Sequence, residues 1–389
     1  MQTVRYLADC GARIMLSTHL GRPKGVRDGT LSTLQLQPVL QNALPGIVVV
    51  RFDDCVGNSV ALGLTKLASG SVALLENVRF HAGETTNDPS FAAALMQHAS
   101  AFVFDAFAVA HRCHASTVGV AHFARSMGLP VMAGLLVRRE MDALSAVLRT
   151  PSRPLLAIIG GDKLTSKSGV VTALIGITDV VMLVGRVAVP FVCESMASQE
   201  EAAAAKLVKD RAAIAGTTLV TPSDFIVVRA HDVDHATEVP AASISSGDTI
   251  MDVGSDTMAT LSQLVRTSNT IFWNGPAGVF ETPPFDGGTR QLVAMLSDAT
   301  RRGATTVVGG GHTVAAIERC GGNDVCFSHI STGGGAMMAM LSGRPLPALD
   351  ALHRASTATL WQRGALEEIN RDGRIGKVGH NLDVSRATS

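Results

Sequence analysis

The stretch VVGGGHTVAA, Val307 to Ala316, decides the fold. A short β-branched run ends in three glycines and passes into a segment of helical character. A strand that breaks at glycine and turns into a helix is one half of an α/β repeat. Glycine lets the backbone approach a ligand closely, and the helix behind it offers free N–H groups and positive dipole to a phosphate. His312 stands at the junction, where an anion loop that also handles a metal would normally carry a carboxylate.

Working outward, short apolar runs recur along the chain and each ends in Gly or a polar residue. They include RIMLS, GIVVVRF, SVALLENV and AFVFDAFA in the first half, then LLAIIGG, DVVMLVG, DFIVVRA, DTIMDVG, NTIFWNG, TTVVGGG and CFSHIS. Continuous apolar runs are what strands buried on both faces look like. Stretches of helical spacing separate most of them, such as Phe91 to Ala99 and Gly288 to Asp298. Strand then helix, repeated, predicts an α/β protein with parallel sheets flanked by helices. The segment from Leu135 to Pro154 reads as a long connecting helix without site-like residues, and it divides the two strand series. The expected organisation is a lobe over 1–145, a second lobe over 146–348 and a partly helical extension over 349–389.

Composition narrows the function. At 389 residues the chain exceeds one ordinary core, and 46% apolar with 17% charged residues is a globular balance. Basic and acidic residues number 33 each and aromatics are 4%, which argues against a nucleic-acid or membrane-surface partner. The greasiest span, Ile177 to Cys193, is broken by Asp179, Arg186 and Pro190, so it does not read as a membrane helix. Six scattered cysteines without C-x-x-C spacing suit reduced thiols and a cytoplasmic setting.

In open α/β sheets, ligands collect at the carboxyl ends of strands. In the first half those ends carry bases: His19 and Arg22 in STHLGRP, Arg79 and His81 in ENVRFH, and His111, Arg112 and His114 in FDAFAVAHRCHAS. Their recurrence predicts one concave basic patch for phosphate or carboxylate oxygens. In the second half the ends carry glycines and lysines: Gly160, Gly161, Lys163 and Lys167, then Gly254, then Asn274, Gly275 and Glu281, then Gly309 to Thr313, then Gly333 to Gly335. Neither a P-loop nor a G-x-G-x-x-G fingerprint occurs. A small acid on one lobe facing a nucleotide on the other suggests phosphoryl transfer.

Taken in order, STHLGRP, ENVRFH, DAF…AHR.H.S, GGDK…K, WNGPAGVFE, GGGHT and STGGGA resemble the phosphoglycerate kinases, from residue 1 to about 350. The resemblance implies two Rossmann-like lobes joined by a hinge. It implies reversible phosphoryl transfer between 1,3-bisphosphoglycerate and ADP, giving 3-phosphoglycerate and ATP, with Mg2+ and as a monomer. His19, Leu20, Gly21, Arg22, Arg79 and Arg112 would hold the glycerate. Lys167 would contact the nucleotide phosphates and Lys163 would steady the transferred group. Gly254, Asn274 and Glu281 would belong to the nucleotide site, and Gly310, Gly311, His312 and Thr313 would form its phosphate loop. Gly334 would start the helix facing the phosphoryl group in flight.

Departures from the family pattern carry expectations of their own. The chain opens on a segment matching the helix before the first motif, so a first strand is expected to be missing. Asp162 stands where the family has alanine, adding negative charge beside Lys163. Arg186 replaces a small residue of the adenine pocket. His312 replaces the metal-binding aspartate, which predicts weakened handling of the metal–nucleotide, because magnesium prefers oxygen. The alternative is a catalytically weak or inactive nucleotide-binding relative.

Overall fold

The computed structural model describes residues 1–229, 235–321 and 324–353. The first strand series is β1 (Ile14–Leu16), β2 (Val49–Arg51), β3 (Val72–Leu74), β4 (Phe102–Phe104) and β5 (Val131–Ala133). They form two parallel sheets, ordered β1-β3-β2 and β4-β5. All of β3 is buried, which explains its unbroken apolar sequence. Phe52, Val60, Leu75, Phe91 and Ala124 close a core against it. Among the described strands, β1 and β4 are both sheet edges.

Helix α1 (Leu135–Leu148) follows β5 and occupies the first part of the expected connecting segment. Its buried stripe of Val137, Met141 and Leu144 has helical spacing. Glu140 on the same stripe is also buried, a charged residue inside the core.

The second series begins with β6 (Leu155–Ile159), and helix α2 (Leu164–Leu174) leads to β7 (Val180–Leu183) and then β8 (Thr218–Val220). Next come β9 (Asp224–Arg229), β10 (Thr237–Pro240) and β11 (Asp248–Val253), helix α3 (Ser255–Thr267) and β12 (Thr270–Asn274). Helix α4 (Gly287–Arg301), β13 (Thr305–Gly309), helix α5 (Gly311–Cys320), β14 (His329–Ser331) and helix α6 (Gly334–Leu341) complete it. Six of these strands make one parallel sheet in the order β14-β13-β12-β6-β7-β8. The central pair β6 and β12 is wholly buried. Trp273 lies in the core at 0% exposure, and its indole N–H donates to the Gly275 carbonyl at 2.7 Å.

One part of the strand reading needs correction. DFIVVRA and DTIMDVG do not join the parallel series. They become β9 and β11, which pair antiparallel in a separate sheet ordered β10-β9-β11. Both are largely buried, and burial on two faces gives the same apolar run in either direction. The helix expected in the tail lies outside the described residues.

Candidate active site

Strand order places one site before any side chain is considered. From the central pair, β6, β7 and β8 proceed one way and β12, β13 and β14 the other. A crevice therefore opens beyond the carboxyl ends of β6 and β12, the topological switch point where doubly wound sheets bind ligands. A cavity of about 230 Å³ lies there, lined by Gly161, Asp162, Lys163, Ser166 and Lys167 after β6, Gly275 and Pro276 after β12, and Gly310 to Thr313 after β13.

Glycine is required where the three turns meet. The Gly160 N–H donates to the Asn274 carbonyl at 2.8 Å. A Cβ on Gly275, whose φ is +99°, would lie 2.1 Å from the Gly160 carbonyl oxygen. Gly310 caps α5 with φ +102°, and a Cβ there would strike the Asn274 amide at 2.8 Å. Polar side chains lock the turns together. The Gly275 N–H donates to Thr313 Oγ1 at 2.8 Å, and that hydroxyl donates to the Gly309 carbonyl at 2.8 Å. Asn274 Nδ2 donates to the same carbonyl at 2.6 Å, while its Oδ1 accepts from the Lys167 ammonium. Burial lowers the pKa of Lys167, and the α5 N-terminus adds unpaired N–H groups. Two lysines, glycine backbone and a helix start make a receptor for a polyphosphate.

The cavity thus gathers Lys163, Lys167, Gly310, Gly311, His312 and Thr313 of the expected residues. Asn274 reaches it through Lys167. Gly254 instead precedes α3, packed so tightly that a Cβ would meet the Asp224 carboxylate at 2.3 Å. Glu281 is exposed, and its carbonyl accepts from Arg319. Gly254, Glu281 and Gly334 are not among the residues lining this cavity. As for a metal, His312 offers nitrogen where magnesium prefers oxygen, and Asp162 is the carboxylate in the lining. Asp162 and Arg186, separate oddities in the sequence, form an ion pair at 2.9 Å.

The basic patch assembles at the strand ends of the first lobe. Arg79 donates to the Gly21 carbonyl at 2.7 Å, and Asn77 donates to the Leu20 carbonyl at 2.8 Å, so the loop after β1 is built on the turn after β3. Nε of both Arg79 and Arg112 is buried without a hydrogen-bond partner. Burial depresses the Arg79 pKa, with Arg112 and Arg22 adding to it. His19 falls to about 4, through burial first and then Arg79, His114 and Arg112. The shifts of Arg79 and His19 mean that positive charges crowd one another here, and an anion relieves the crowding.

His81 does not join this group. It hydrogen-bonds Asp54 at 2.6 Å and stacks on Phe91. Buried Glu84, unnoticed in the sequence, braces the patch by accepting from Ser116 at 2.7 Å and pairing with His114 at 3.4 Å. Burial works to raise the Glu84 pKa, but hydrogen bonds from His114 and Ser116 outweigh it and hold it low.

Helix α6 touches the loop that carries Arg112. A Cβ on Gly333 would lie 2.3 Å from the Phe107 ring, and one on Gly335 would lie 3.1 Å from the His111 ring. Gly334, between them, therefore starts its helix beside the basic loop.

Comparison with known proteins gives one family. The model of the phosphoglycerate kinases matches residues 1–344. Phosphoglycerate kinase 1, chloroplastic, of Arabidopsis thaliana is 40% identical over 366 residues, covering 92% of this chain and 75% of that protein. Phosphoglycerate kinase 3, cytosolic, of the same plant is 40% identical over 361 residues, covering 91% and 88%. Among solved structures, phosphoglycerate kinase from Coxiella burnetii gives a TM-score of 0.78 at 32% identity, covering 90% of this chain and 88% of that one. The enzyme from Pyrococcus horikoshii OT3 gives 0.73 at 29% identity, with the same coverage.

Proposed function

The chain belongs to the phosphoglycerate kinase family, and we propose that it catalyses reversible phosphoryl transfer between 1,3-bisphosphoglycerate and ADP, giving 3-phosphoglycerate and ATP. The observation that carries this reading is the packing of Gly335 on His111. It joins the residue before Arg112 to the start of α6, so an acid on the basic patch and a nucleotide at the glycine turns would share one boundary. We assign the glycerate to His19, Leu20, Gly21, Arg22, Arg79 and Arg112. The nucleotide phosphates belong to Lys167, Gly310, Gly311, His312 and Thr313, with Lys163 and Gly334 at the transferred group. Gly254, Asn274 and Glu281 serve as the outer nucleotide contacts. The lobes divide near residue 145, inside α1, leaving 349–389 as an extension. The protein acts as a monomer.

Little covalent chemistry is asked of the protein. An oxygen of the ADP β-phosphate attacks the acyl phosphate, a new P–O bond forms, and the bond to the carboxyl oxygen breaks. The carboxylate leaves with its electron pair, so no protein base is needed. What the chain supplies is position and positive charge. Lys167 is held at one angle by Asn274 and is partly desolvated, which strengthens its pull on phosphate oxygens. Arg79 and Arg112 bring guanidinium groups that are partly desolvated, each with a buried Nε that has no hydrogen-bond partner. Magnesium would neutralise phosphate charge as the reaction proceeds.

A cytoplasmic setting fits cysteines that are all free in the structure, although the relatives bear both cytosolic and chloroplastic names. A second reading, a relative that binds nucleotide with little turnover, draws on His312 in the phosphate loop. Calorimetric titration tests the two-site arrangement. ADP and 3-phosphoglycerate are each expected to bind one-to-one without competing. Mutual exclusion, or no binding of 3-phosphoglycerate, would contradict it.

A further inference from the structure

Asp252, near the end of β11, is a carboxylate at 0% exposure, and among the described residues no cation pairs with it. Arg290, on the first turn of α4, pairs with Asp286 instead. The two oxygens of Asp252 accept backbone N–H groups, one from Gly288 at 2.7 Å and the other from Val253 at 2.9 Å. A Cβ on Gly278 would lie 2.3 Å from the carboxylate and one on Gly288 2.5 Å, so both feet of the 278–288 loop close on this one group. The Val279 N–H donates to the adjoining Met251 carbonyl at 2.8 Å, and the Ala277 N–H donates to Thr289 Oγ1 at 3.1 Å. Just before that first foot, Gly275 and Pro276 line the cavity of the glycine turns.

Burial pushes the Asp252 pKa up to about 6, and Asp286 adds to the rise. An acid held above its unfolded value favours the fold only while protonated, so above about 6 this charge works against stability. A buried charge retained against stability points to function. The ionisable groups around it are Asp286 and Arg290 on α4 and Arg319 and Cys320 on α5, where burial keeps the thiol protonated. Protonating Asp252 turns one oxygen into a donor facing an N–H that needs an acceptor.

We propose that Asp252 is a positioning residue for the nucleotide, its ionised carboxylate tying both feet of the 278–288 loop and so holding Gly275 and Pro276 in place at the phosphate cavity. This inference rests on reading that cavity as the nucleotide site.

The test is ADP binding by calorimetry on the full chain, with Mg2+ in excess, across pH. At about pH 8, Asp252→Asn should weaken ADP about tenfold, the loss of one hydrogen bond to a charged group, and leave 3-phosphoglycerate unchanged. At about pH 5 the wild type carries the proton and the two proteins should bind ADP alike. The protons of ADP titrate alike against both, so the ratio of Kd values isolates Asp252. A second measurement needs no variant. In the wild type, the Gly288 amide resonance should follow the Asp252 titration, and saturating ADP should lower its midpoint by about one unit, the same tenfold coupling seen from the other side. Equal affinities at the higher pH, a gap that persists at the lower, or a midpoint that ADP leaves in place would overturn the proposal while leaving the nucleotide site intact. Loss of both ligands in the variant would assign Asp252 to folding. A wild type that binds ADP at no pH would overturn the nucleotide reading and this inference together.

Discussion

Glu140 and His329 stand 189 residues apart in the chain, yet the carboxylate Oε2 and the imidazole Nε2 meet at 2.9 Å. The other carboxylate oxygen accepts from the Thr332 N–H at 2.8 Å and from its hydroxyl at 2.9 Å. Burial works to raise the Glu140 pKa, but hydrogen bonds from His329, Ser331 and Thr332 outweigh it and hold it below the usual carboxylate range. One buried side chain on α1 thereby fixes the loop that leads into α6. Glu140→Ala is expected to lower stability by about 3 kcal/mol, the scale of leaving buried polar partners unpaired. Glu140→Gln should recover part of it. Urea unfolding reads both, and an unshifted midpoint for the alanine variant would contradict the role.

Arg112 carries the second expectation. Its buried Nε awaits an acceptor. Arg112→Ala is expected to weaken 3-phosphoglycerate binding about ten- to hundredfold, the equivalent of one or two charge-assisted hydrogen bonds. ADP binding should hold at the wild-type value. Loss of both affinities in calorimetry would mean that Arg112 supports the fold instead of one ligand.

His19 gives a pH signature. Its folded pKa of about 4 lies below the ordinary 6.5, with burial as the chief cause. The unfolded chain therefore takes up this proton first as pH falls. The His19 contribution favours the folded state fully above about 6.5 and is lost on the way down to about 4. His19→Gln should flatten that part of the stability curve. In NMR titration the His19 ring should stay neutral to near pH 4, and 3-phosphoglycerate should raise its midpoint. A midpoint at the ordinary value in the free protein would remove the crowded-charge picture of the patch.

His312→Asp places a hard oxygen beside Thr313 in the cavity lining. It is expected to tighten Mg2+–ADP binding about tenfold, one charge-assisted contact, while leaving metal-free ADP no tighter. Equal affinities for variant and wild type would show that position 312 does not face the metal.

Much of this was legible before the structure because it is local. A β-branched run, a glycine turn and a helix follow one another within VVGGGHTVAA, and the loop is found where that order implies. The bases at Arg79 and Arg112 were equally readable, since each follows the carboxyl end of a parallel strand, although the two strands lie in different sheets. Pairings across the fold were not. Glu140 sits in VRREMDA, where a charged residue on a helix reads as solvated face, and its partners lie far along the chain. Asp162 and Arg186 were visible only as separate departures, because spacing says nothing about which side chains meet. His81 shared a motif with Arg79 but turned to Asp54 and Phe91. Strand direction was also hidden for β9 and β11, where burial erased the alternation that marks an antiparallel sheet.

The most direct measurement is steady-state turnover of the purified chain with ATP, 3-phosphoglycerate and Mg2+, each at saturation and coupled to consumption of the acyl phosphate. Phosphoryl transfer at about 1 to 100 per second, the ordinary range for kinases, is the expected result. No turnover from protein that still binds ADP and 3-phosphoglycerate would contradict the enzyme and leave a nucleotide-binding relative in its place.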